Sequence, residues 1–415
     1  MPLSLSGNGT ITGNVSFANS VTLSTVTATT VSANSINSSS YVSANSHVIT
    51  GINYALGPQT MKNRIINGDM RIDQRFAGAA NNNIAAGLYV VDRWFYYGTG
   101  ANKLRFQQNN TNGPGSSSTQ TSTGFLNYFG ANVVSSNTVS SGDAWTIIQC
   151  IEGLNVADLA WGTANASPVT LSFWVYSSIA GTHGGTIRNG NADRSYPFSY
   201  SITSANTWQY QTITIPGDTS GSWFSNNNIG MYLSYSLGVG STISTSGSWQ
   251  AGNYSGFTGA VQVVSNANGS FYLTGVQLEK GTQATSWDWR PYGQELALCQ
   301  RYYFQFKGGG ASPDMICPGY MLSTTQWEGL LEFPVEMRAD YPTITFTAAN
   351  TFAHRINGTI PTAIGTYAYN GQLSRKRYLI YTTTTGQTTG QATILVSSGT
   401  NVAAVYVSSE LYTQN

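Results

Sequence analysis

Residues 271–303 read FYLTGVQLEKGTQATSWDWRPYGQELALCQRYY, a stretch that closes one predicted β domain and opens a second. The apolar side chains of residues 271–278 lie among polar ones, as in a half-buried strand, and the charges and glycine of residues 279–281 end that strand. Trp287 and Trp289 stand two residues apart, so on an extended chain both indoles face the same side. The stretch therefore predicts a strand, a turn and an extended aromatic segment at a domain junction.

A short helix is predicted immediately after this segment. Pro291 and Gly293 break the extended chain, and beyond them apolar residues recur at three- and four-residue steps. Those apolar residues are Leu296, Cys299 and Tyr303, and the polar side chains expected on the solvent side are Glu295, Gln300 and Arg301. The helix would open the second β domain.

Short β-rich runs alternate with turn clusters between Asp92 and Leu278. The runs are VVDRWFYY, KLRFQQ, AWTIIQCI, VTLSFWVYSS, WQYQTITI, NIGMYLSYSL and FYLTGVQL. The clusters between them, such as GTHGGTIRNGNADR at residues 181–194, are rich in glycine and asparagine and are predicted to be loops. This pattern predicts a two-sheet jelly roll or β-sandwich with one helical turn at residues 156–161. Its core is predicted to include Trp94, Phe173, Val175 and Trp208.

A second β domain is predicted for the rest of the chain. In LEFPVEMR, residues 331–338, apolar and polar residues alternate, so one face is expected to be buried and the other solvated. Pro334 indicates the edge of a sheet, because proline cannot donate a ladder hydrogen bond. The tail TILVSSGTNVAAVYVSSELY, residues 393–412, adds two further strands.

Residues 62–75 carry six charges in a chain that is otherwise poor in charge. The cluster predicts a first strand whose charges form ion pairs at exposed positions, each contributing only about 0 to 1 kcal/mol. A second hypothesis is that the mixed signs fix register within the domain or between protomers.

The junction stretch resembles bacteriophage tail-fibre and related virion appendage proteins, in which a carbohydrate-binding-like jelly-roll module ends in a QLE-G strand and continues into RP-G-EL-LCQRYY. The matching runs here are GVQLEKG and RPYGQELALCQRYY, and further runs support the resemblance. These are NRIINGDMRIDQRF with VVDRWFYY at residues 63–97, IIQCIEGLNVADLAWGTANASPVTLSFWVYSS at residues 147–178 and EFPVEMRADYPTITF at residues 332–346. The resemblance extends from residue 62 to the C-terminus and implies a virion protein with a jelly roll and a small β domain. It does not name a ligand, because fold does not imply function.

Residues 1–61 form a separate segment that has no Asp, Glu, Lys or Arg. β-Branched residues recur in it every five positions, and VSANS occurs at residues 31–35 and again at 42–46. A single thin chain of this kind buries too little apolar area to offset its ordering entropy, so it needs a partner or copies of itself. We predict the stalk of a homotrimer in which each chain contributes to a shared axis Val21, Val26, Val31 and Ile36. The alternative is a flexible Ser/Thr/Asn linker.

The composition excludes several classes of protein. The 415 residues are 40% hydrophobic and only 8% charged, with a net charge of +1, so packed cores are expected and binding to nucleic acid is not. The N-terminus has neither a basic start nor an apolar core, so no signal peptide is expected, and no stretch reaches the length of a membrane span. The sequence predicts a virion protein that is assembled in the host cytoplasm.

No catalytic constellation is found in the sequence. The three histidines, His47, His183 and His354, are far apart, and no motif of a hydrolase or nucleotide-binding site surrounds them. Glu332 and Glu336 are predicted to lie on a solvated strand face and not to act as a catalytic carboxylate pair. We therefore predict no catalytic residues and no cofactor.

No metal site is predicted either. Cys150, Cys299 and Cys317 are predicted to be buried free thiols, since none forms a CxxC pair. Asp69 and Glu279 fall on the first and last strands of a jelly roll of the kind that often holds a structural metal, so calcium is considered. No acidic loop with alternating oxygens accompanies them, and the question of a calcium ion stays open.

Aromatic residues in polar loops are the predicted ligand-binding residues. A sugar ring stacks its C–H face on an aromatic ring, and each such contact contributes on the order of 1 kcal/mol. Trp223 and Phe224 lie in GDTSGSWFSNNN, and Trp249 and Tyr254 lie in GSWQAGNYSG. The alternative is that these aromatic residues plug the end of the sandwich.

The sequence as a whole predicts an all-β, non-enzymatic subunit of a bacteriophage fibre or appendage. Its predicted parts are an uncharged stalk at residues 1–61, a jelly-roll β-sandwich at 62–293 and a C-terminal β domain at 294–415. The stalk would join other tail, baseplate or head proteins, and the distal part would bind bacterial surface polysaccharide. Two alternatives stay open: a structural, decoration or connector protein without glycan binding, and a glycan depolymerase or esterase.

Overall fold

The computed structural model describes residues 61–81, 86–109, 113–308, 314–347, 351–356, 359–364, 366–397 and 403–412. The chain divides into two compact units, residues 1–54 and 55–415, and all described residues belong to the second. The described part contains twenty-four β-strands and two α-helices, α1 (Ser116–Thr123) and α2 (Tyr292–Gln300), which confirms the predicted all-β class. The predicted stalk residues lie outside the described part; they are Val21, Val26, Val31 and Ile36.

Fourteen strands precede α2, and twelve of them build the two sheets of a β-sandwich. They are β1 (Tyr89–Val91), β2 (Trp94–Gly98), β3 (Leu104–Gln108), β4 (Phe129–Val133), β5 (Ala144–Glu152), β6 (Val169–Ser177), β7 (Gly181–Asn189), β8 (Arg194–Ile202), β9 (Gln209–Ile215), β10 (Ile229–Val239), β11 (Ser244–Thr245), β12 (Gln250–Ala251), β13 (Gly256–Phe257) and β14 (Ser270–Lys280). One sheet has the order β1-β2-β5-β10-β7-β8-β12 and the other the order β3-β4-β14-β6-β9, while β11 and β13 pair separately. The core between the sheets contains three of the predicted core residues, Trp94, Phe173 and Val175. A short 3-10 turn at Ala157–Leu159 lies where the helical turn is predicted, and another at Gly153–Asn155 precedes it.

Strand β14 shows how the opening stretch builds this core. Phe271 and Leu273 are buried, and a bulge around Gly275 shifts the alternation by one residue. Val276 and Leu278 therefore face the core as well. The strand predicted from residues 271–278 is confirmed.

The loop predicted at residues 181–194 is wrong. Most of it is β7, which lies between β10 and β8 in the seven-stranded sheet. A Cβ atom at Gly185 would lie 2.2 Å from the carbonyl oxygen of Ser234 and 2.5 Å from the ring of Phe198. Glycine therefore lets large neighbours approach this strand closely, although its composition is typical of a loop.

Two further expectations about the sandwich are wrong. VVDRWFYY forms two strands and not one, because the chain turns at Asp92 and Arg93, where Arg93 has a φ of 72°. Trp208 lies just before β9 and is half-buried outside the core, where its ring contacts Tyr128 and Tyr176. It belongs to the outer face of the five-stranded sheet.

Ten strands after α2 form a second pair of packed sheets. They are β15 (Tyr303–Gly308), β16 (Met315–Met321), β17 (Gln326–Glu332), β18 (Thr343–Phe346), β19 (Phe352–Ile356), β20 (Thr359–Ala363), β21 (Tyr367–Ser374), β22 (Arg377–Thr383), β23 (Ala392–Ser397) and β24 (Ala403–Ser408). A three-stranded sheet, β15-β24-β18, and a seven-stranded sheet, β20-β19-β23-β16-β17-β22-β21, share one core that includes Trp327. The two strands predicted in the tail are confirmed as β23 and β24.

The edge strand predicted at Pro334 is wrong. Strand β17 ends at Glu332 and lies between β16 and β22, so Pro334 falls beyond the strand and removes no ladder hydrogen bond. The predicted alternation is nevertheless present, since Leu331 and Phe333 are buried while Glu332 and Pro334 are exposed.

The charged segment at residues 62–75 is irregular and largely buried, so the prediction of an exposed first strand is wrong. Arg64 pairs with Asp158 at 2.7 Å. Arg75 pairs with Asp92 at 3.3 Å and with Glu410, near the C-terminus, at 3.0 Å. These ion pairs fix residues 62–75 to the sandwich through Asp158 and Asp92, and to the C-terminal segment through Glu410.

The stretches that carry the family resemblance meet in the same region. Arg93 of VVDRWFYY pairs with Glu410. Arg301 and Tyr302 of LCQRYY both reach Glu152 of the IIQCIEG run, at 2.7 Å and 2.6 Å respectively. These residues therefore form a buried junction between the two pairs of sheets.

Helix α2 is confirmed, but its predicted solvent side is wrong at Glu295. That carboxylate is buried, where it accepts the backbone N–H of Asn67 and pairs with Arg290 at 3.2 Å. The helix also ends before Tyr303, which begins β15. The domain boundary placed between residues 293 and 294 stays a prediction.

Candidate functional site

The outer face of the five-stranded sheet carries two rows of aromatic rings. On β6 the core takes the odd-numbered residues, so the outward side chains are Ser172, Trp174 and Tyr176. Trp174 lies opposite Tyr210 of β9, with ring centroids 5.4 Å apart. Tyr176 lies opposite Tyr272 of β14, with stacked rings 5.1 Å apart.

A further aromatic group stands at one side of this face. Gly275 makes room for it, because a Cβ atom there would lie 2.4 Å from the ring of Phe125. Phe125 contacts Trp287 edge-on at 4.9 Å and stacks on Trp289 at 5.5 Å. Trp287 and Trp289 lie on the same side of the chain with rings 6.3 Å apart, which confirms the prediction from their spacing.

The two groups enclose a depression that we call the sheet groove, defined by Phe125, Trp174, Tyr210, Gln277, Trp287 and Trp289. Its volume is about 290 Å³. Tyr210 is 46% exposed and Trp289 is 63% exposed, although both are large aromatic residues. A contiguous patch of this kind is apolar surface available to a partner.

Neutral polar groups form the floor of the sheet groove. The buried Gln277 donates to Glu279 at 3.0 Å and accepts the backbone N–H of Asp288 at 2.9 Å. Glu279 also accepts the N–H and the hydroxyl of Thr285, at 2.7 and 2.6 Å. Among the described residues, none that lines the sheet groove is charged. The groove therefore offers aromatic faces and fixed amide or hydroxyl groups.

A second depression lies toward the other end of the same face. It has a volume of about 520 Å³ and is lined in part by Asn132, Tyr176, Asn206 and Tyr272. Asn132 donates to the Tyr272 hydroxyl at 3.1 Å, and the Tyr176 hydroxyl donates to Asn206 at 3.4 Å. Burial raises the pKa of the Tyr176 phenol, so its hydroxyl stays protonated at neutral pH.

The predicted ligand residues Trp223 and Trp249 meet in a separate group, which we call the loop cluster and which also contains Trp161. The two rings lie 4.7 and 5.3 Å from Trp161 and 5.6 Å from each other, all edge-on. The Trp223 indole donates to the carbonyl of Ser220 at 3.2 Å, and that of Trp249 to the carbonyl of Pro216 at 2.8 Å. Both rings pack against the sandwich core, as the plug alternative requires. Their role in binding stays a prediction.

The other two predicted ligand residues are half-buried in the same loops. The ring of Phe224 packs on Gly190, where a Cβ atom would lie 2.7 Å from it. The backbone N–H of Tyr254 donates to the hydroxyl of Ser195 at 3.0 Å. A ligand-binding role for Phe224 and Tyr254 also stays a prediction.

Trp174 and Tyr210 were not among the predicted ligand residues. The sequence does contain the signal, because Trp174 follows Phe173 in a strand and must face the opposite side from that core residue. A ring on the outer face of a strand lies outside the polar loops in which the ligand-binding residues are predicted.

The residues considered for calcium have other partners. Asp69 pairs with Arg71 at 2.7 Å, and Glu279 holds Thr285 as described. No group of three or more His, Cys, Asp or Glu in the described part of the chain could hold a metal ion. The helices described there are too short to cross a membrane.

The titratable residues considered for catalysis are engaged in packing or pairing. His183 bonds to the carbonyl of Ile179 at 2.9 Å and His354 bonds to the hydroxyl of Thr382 at 2.7 Å. Burial lowers the pKa of His183, and it lowers that of His354 to about 4. Glu332 forms an exposed pair at 3.4 Å with Arg377. The three cysteines, Cys150, Cys299 and Cys317, are buried free thiols as predicted.

Comparisons with known proteins give distant structural likeness alone. No family model matches the chain, and no curated protein matches it. The enzymatically active domain of tailspike protein 4 from bacteriophage CBA120 is 12% identical with a TM-score of 0.27, over 53% of this chain and 21% of that one. A family 11 carbohydrate-binding module from Clostridium thermocellum, in complex with a β-1,3-1,4-mixed-linked tetrasaccharide, is 15% identical with a TM-score of 0.23, over 49% of this chain and 97% of that one. The N-terminal cellulose-binding domain of β-1,4-glucanase C from Cellulomonas fimi is 14% identical with a TM-score of 0.21, over 43% of this chain and 90% of that one.

The chain thus spans about a fifth of the tailspike chain that it matches. TM-scores of this size do not establish a shared fold. The candidate site is inferred from the geometry of this chain's own residues alone.

Proposed function

We propose that this chain is a non-enzymatic, glycan-binding subunit of a bacteriophage fibre or related virion appendage. In this proposal an extended oligosaccharide lies along the outer face of the five-stranded sheet. The observation that carries it is the aromatic surface of the sheet groove, formed by the exposed Tyr210 and Trp289 and the half-buried Trp174.

The chemistry of the sheet groove suits a sugar ring. A pyranose has an apolar C–H face and a rim of hydroxyl groups, and an aromatic plane covers the C–H face at a gain on the order of 1 kcal/mol per contact. Ser172 on the floor carries a neutral hydroxyl of the kind that bonds to sugar hydroxyls, while Gln277 is held by Glu279 and Asp288. Since no charged side chain of the described residues lines the groove, a neutral sugar fits it better than a phosphate or a cation.

The arrangement of the two depressions favours a chain of sugars over a single unit. Both lie on the outer face of the same sheet, and β6 contributes Trp174 to one and Tyr176 to the other. Trp174 and Tyr176 are two residues apart on β6 and face the same side, so the two depressions are adjacent. An oligosaccharide could contact both at once.

Binding without cleavage is part of the proposal. Glycoside hydrolysis uses two carboxyl groups roughly 5 to 9.5 Å apart across the scissile bond. Of the acidic side chains beside the sheet groove, Glu279 is held by Thr285 and Asp288 pairs with Arg290 at 3.4 Å. Both carboxyl groups thus have partners within the chain, which supports binding without cleavage.

The virion context is supported by the sequence resemblance at residues 271–303 and the runs that accompany it. In the proposal, residues 1–61 attach the protein to other virion proteins as part of a homotrimer, and the sheet groove recognises the host surface. A chain that begins at Met61 is expected to retain glycan binding and to fail to join particles.

Calorimetry with oligosaccharides released from host surface polysaccharide tests the binding function. We expect saturable binding to the intact protein and no new reducing ends on prolonged incubation. Absence of binding to any host glycan would favour the structural or decoration alternative. New reducing ends that disappear after one carboxylate substitution would favour the depolymerase alternative.

A further inference from the structure

A cavity on the opposite sheet of the sandwich contains an arginine that has no acidic partner. Its volume is about 370 Å³, within the range of about 300 to 1,000 Å³ that is usual for small-molecule sites. The floor is the outer face of the seven-stranded sheet, where four adjacent strands contribute Tyr97, Thr146, Tyr232 and Arg188. We call this cavity the Arg188 pocket.

The surroundings of Arg188 leave its charge uncompensated. Arg188 is buried, with 8% of its surface exposed. Its Nη1 donates a hydrogen bond to Asn253 Oδ1 at 2.6 Å. The guanidinium lies 5.1 Å from the ring centroid of Tyr232, and its Nε is buried without a hydrogen-bond partner. Every Asp and Glu of the chain lies among the described residues, and none of them forms an ion pair with Arg188.

The other two buried arginines of the described residues are neutralised. Arg64 pairs with Asp158, and Arg93 pairs with Glu410. An arginine keeps its charge at any accessible pH, and a buried charge without a counter-charge destabilises the fold. A site that keeps such a charge beside an open cavity is organised to receive an anion.

We propose that the Arg188 pocket binds a carboxylate-bearing sugar, such as a uronic acid unit of a surface polysaccharide. The guanidinium fork matches the two oxygens of a carboxylate. The rings of Tyr97 and Tyr412 line the same cavity and supply planes for a sugar face, and Asn253 and Ser255 supply polar groups for its hydroxyls. These aromatic walls favour a ring that bears a carboxylate over inorganic phosphate. The inference is independent of the sheet groove, which lies on the other sheet.

Thermal unfolding and calorimetry with glucuronate test the inference on the full chain. At constant ionic strength, glucuronate is expected to raise the melting temperature of the wild-type protein, because it binds the folded state alone. Glucose and inorganic phosphate are expected to bind more weakly than glucuronate. Arg188→Met should weaken glucuronate binding by about tenfold or more. The same substitution removes an unpaired buried charge, so the melting temperature without ligand should stay the same or rise.

Two control variants separate this site from others. Arg377→Met removes an arginine from an exposed ion pair and should leave glucuronate binding unchanged. Trp174→Ala alters the sheet groove and should also leave it unchanged. The inference is wrong if glucuronate fails to bind, if glucose or phosphate binds the Trp174→Ala protein as tightly as glucuronate does, or if Arg188→Met binds glucuronate normally. If Trp174→Ala loses glucuronate binding and Arg188→Met keeps it, the inference is also wrong, whereas the function proposed for the sheet groove is unaffected.

Discussion

The sheet groove and the loop cluster each contain three tryptophans, but they present them in opposite ways. The loop cluster, Trp161, Trp223 and Trp249, packs its rings edge-on within 5.6 Å, and all three indole N–H groups donate to backbone carbonyls. The sheet groove places Trp174 on one side of an open depression and Trp287 and Trp289 on the other. In the loop cluster the rings pack on one another and their N–H groups are hydrogen-bonded, whereas the sheet groove leaves ring surface exposed.

The difference shows that location in a loop is a poor guide to ligand binding in this chain. Loops that cross the end of a β-sandwich must cover its core, and aromatic rings serve that purpose well. A ring on the outer face of a strand has no core to cover. Its exposure is therefore the more informative observation, and the sheet groove is the better candidate for the glycan site.

The largest expected effect is on stability and concerns the loop cluster. Trp223→Ala or Trp249→Ala should lower the free energy of unfolding by about 3 kcal/mol, the lower end of the cost of Trp→Ala in a core. Oligosaccharide affinity at the sheet groove should stay unchanged. Denaturant unfolding and calorimetry of each variant measure the two quantities. A loop variant with normal stability and lost binding would place the site in the loops.

The next effect is on affinity and concerns the sheet groove. Tyr210→Ala or Trp174→Ala should each weaken oligosaccharide binding by roughly 1 to 3 kcal/mol, because a stacking plane is lost. Tyr210 is 46% exposed, so its removal should change the unfolding free energy by less than about 0.5 kcal/mol.

Tyr320→Ala is the matched control, since Tyr320 is 42% exposed on a strand of the C-terminal sheets. It should bind glycan normally. Equal loss of binding in Tyr210→Ala and Tyr320→Ala would contradict a specific role for the sheet groove.

A smaller effect is expected at the bulge that shapes the groove wall. Gly275→Ala places a Cβ atom against Phe125, whose ring supports Trp287 and Trp289. Oligosaccharide affinity should fall by about 1 kcal/mol as the wall shifts. Gly259→Ala is the matched control. Gly259 also has a positive φ, of 81°, but its Cβ position is surrounded by open space, so the substitution imposes similar backbone strain without the clash. Normal affinity in Gly275→Ala would show that the wall does not contribute to binding.

The smallest expected effect is that of pH on affinity. No charged side chain of the described residues lines the sheet groove, so the binding constant should not change between about pH 5 and 8. Stability should behave differently. Burial lowers the pKa of His183 and His354 in the folded protein, so the unfolded chain binds protons first as the pH falls.

The stability supplied by the neutral histidines is therefore fully present above the unfolded pKa and is lost as the pH falls below about 6.5, by roughly 1.4 kcal/mol per unit for each group. For His354 the loss continues to about pH 4. Unfolding curves of the wild-type protein and of His354→Gln over this range check the sign. Burial also raises the pKa of Asp92, to about 6, which acts in the opposite direction, so the comparison of the two proteins isolates the histidine. A wild-type protein that loses no more stability than His354→Gln between pH 6.5 and 5 would contradict the sign.

Much of the fold could be predicted because several strands alternate clearly between core and solvent. Strand β14 is an example, and even its bulge leaves the apolar residues Phe271 and Leu278 in recognisable positions. Strand β7 could not be predicted, because its glycines suit close packing against Phe198 of a neighbouring strand, and sequence alone does not show that neighbour. Glu295 is similar, since Asn67, more than two hundred residues earlier, determines its burial.

The candidate site was predicted only in part for the same reason. The spacing of Trp287 and Trp289 placed them on one side of the chain, and the structure confirms it. Their position opposite Trp174 depends on Phe125, which packs on Gly275 about 150 residues later in the sequence. Contacts at that separation leave no local pattern.

Fluorine NMR of the full chain labelled with 5-fluorotryptophan tests the central claim most directly, with each signal assigned by a single Trp→Phe substitution. During titration with host oligosaccharide, the signals of Trp174, Trp287 and Trp289 are expected to shift, while those of the loop cluster, Trp161, Trp223 and Trp249, stay in place. The opposite result, shifts confined to the loop cluster, would contradict the assignment of the glycan site to the sheet groove.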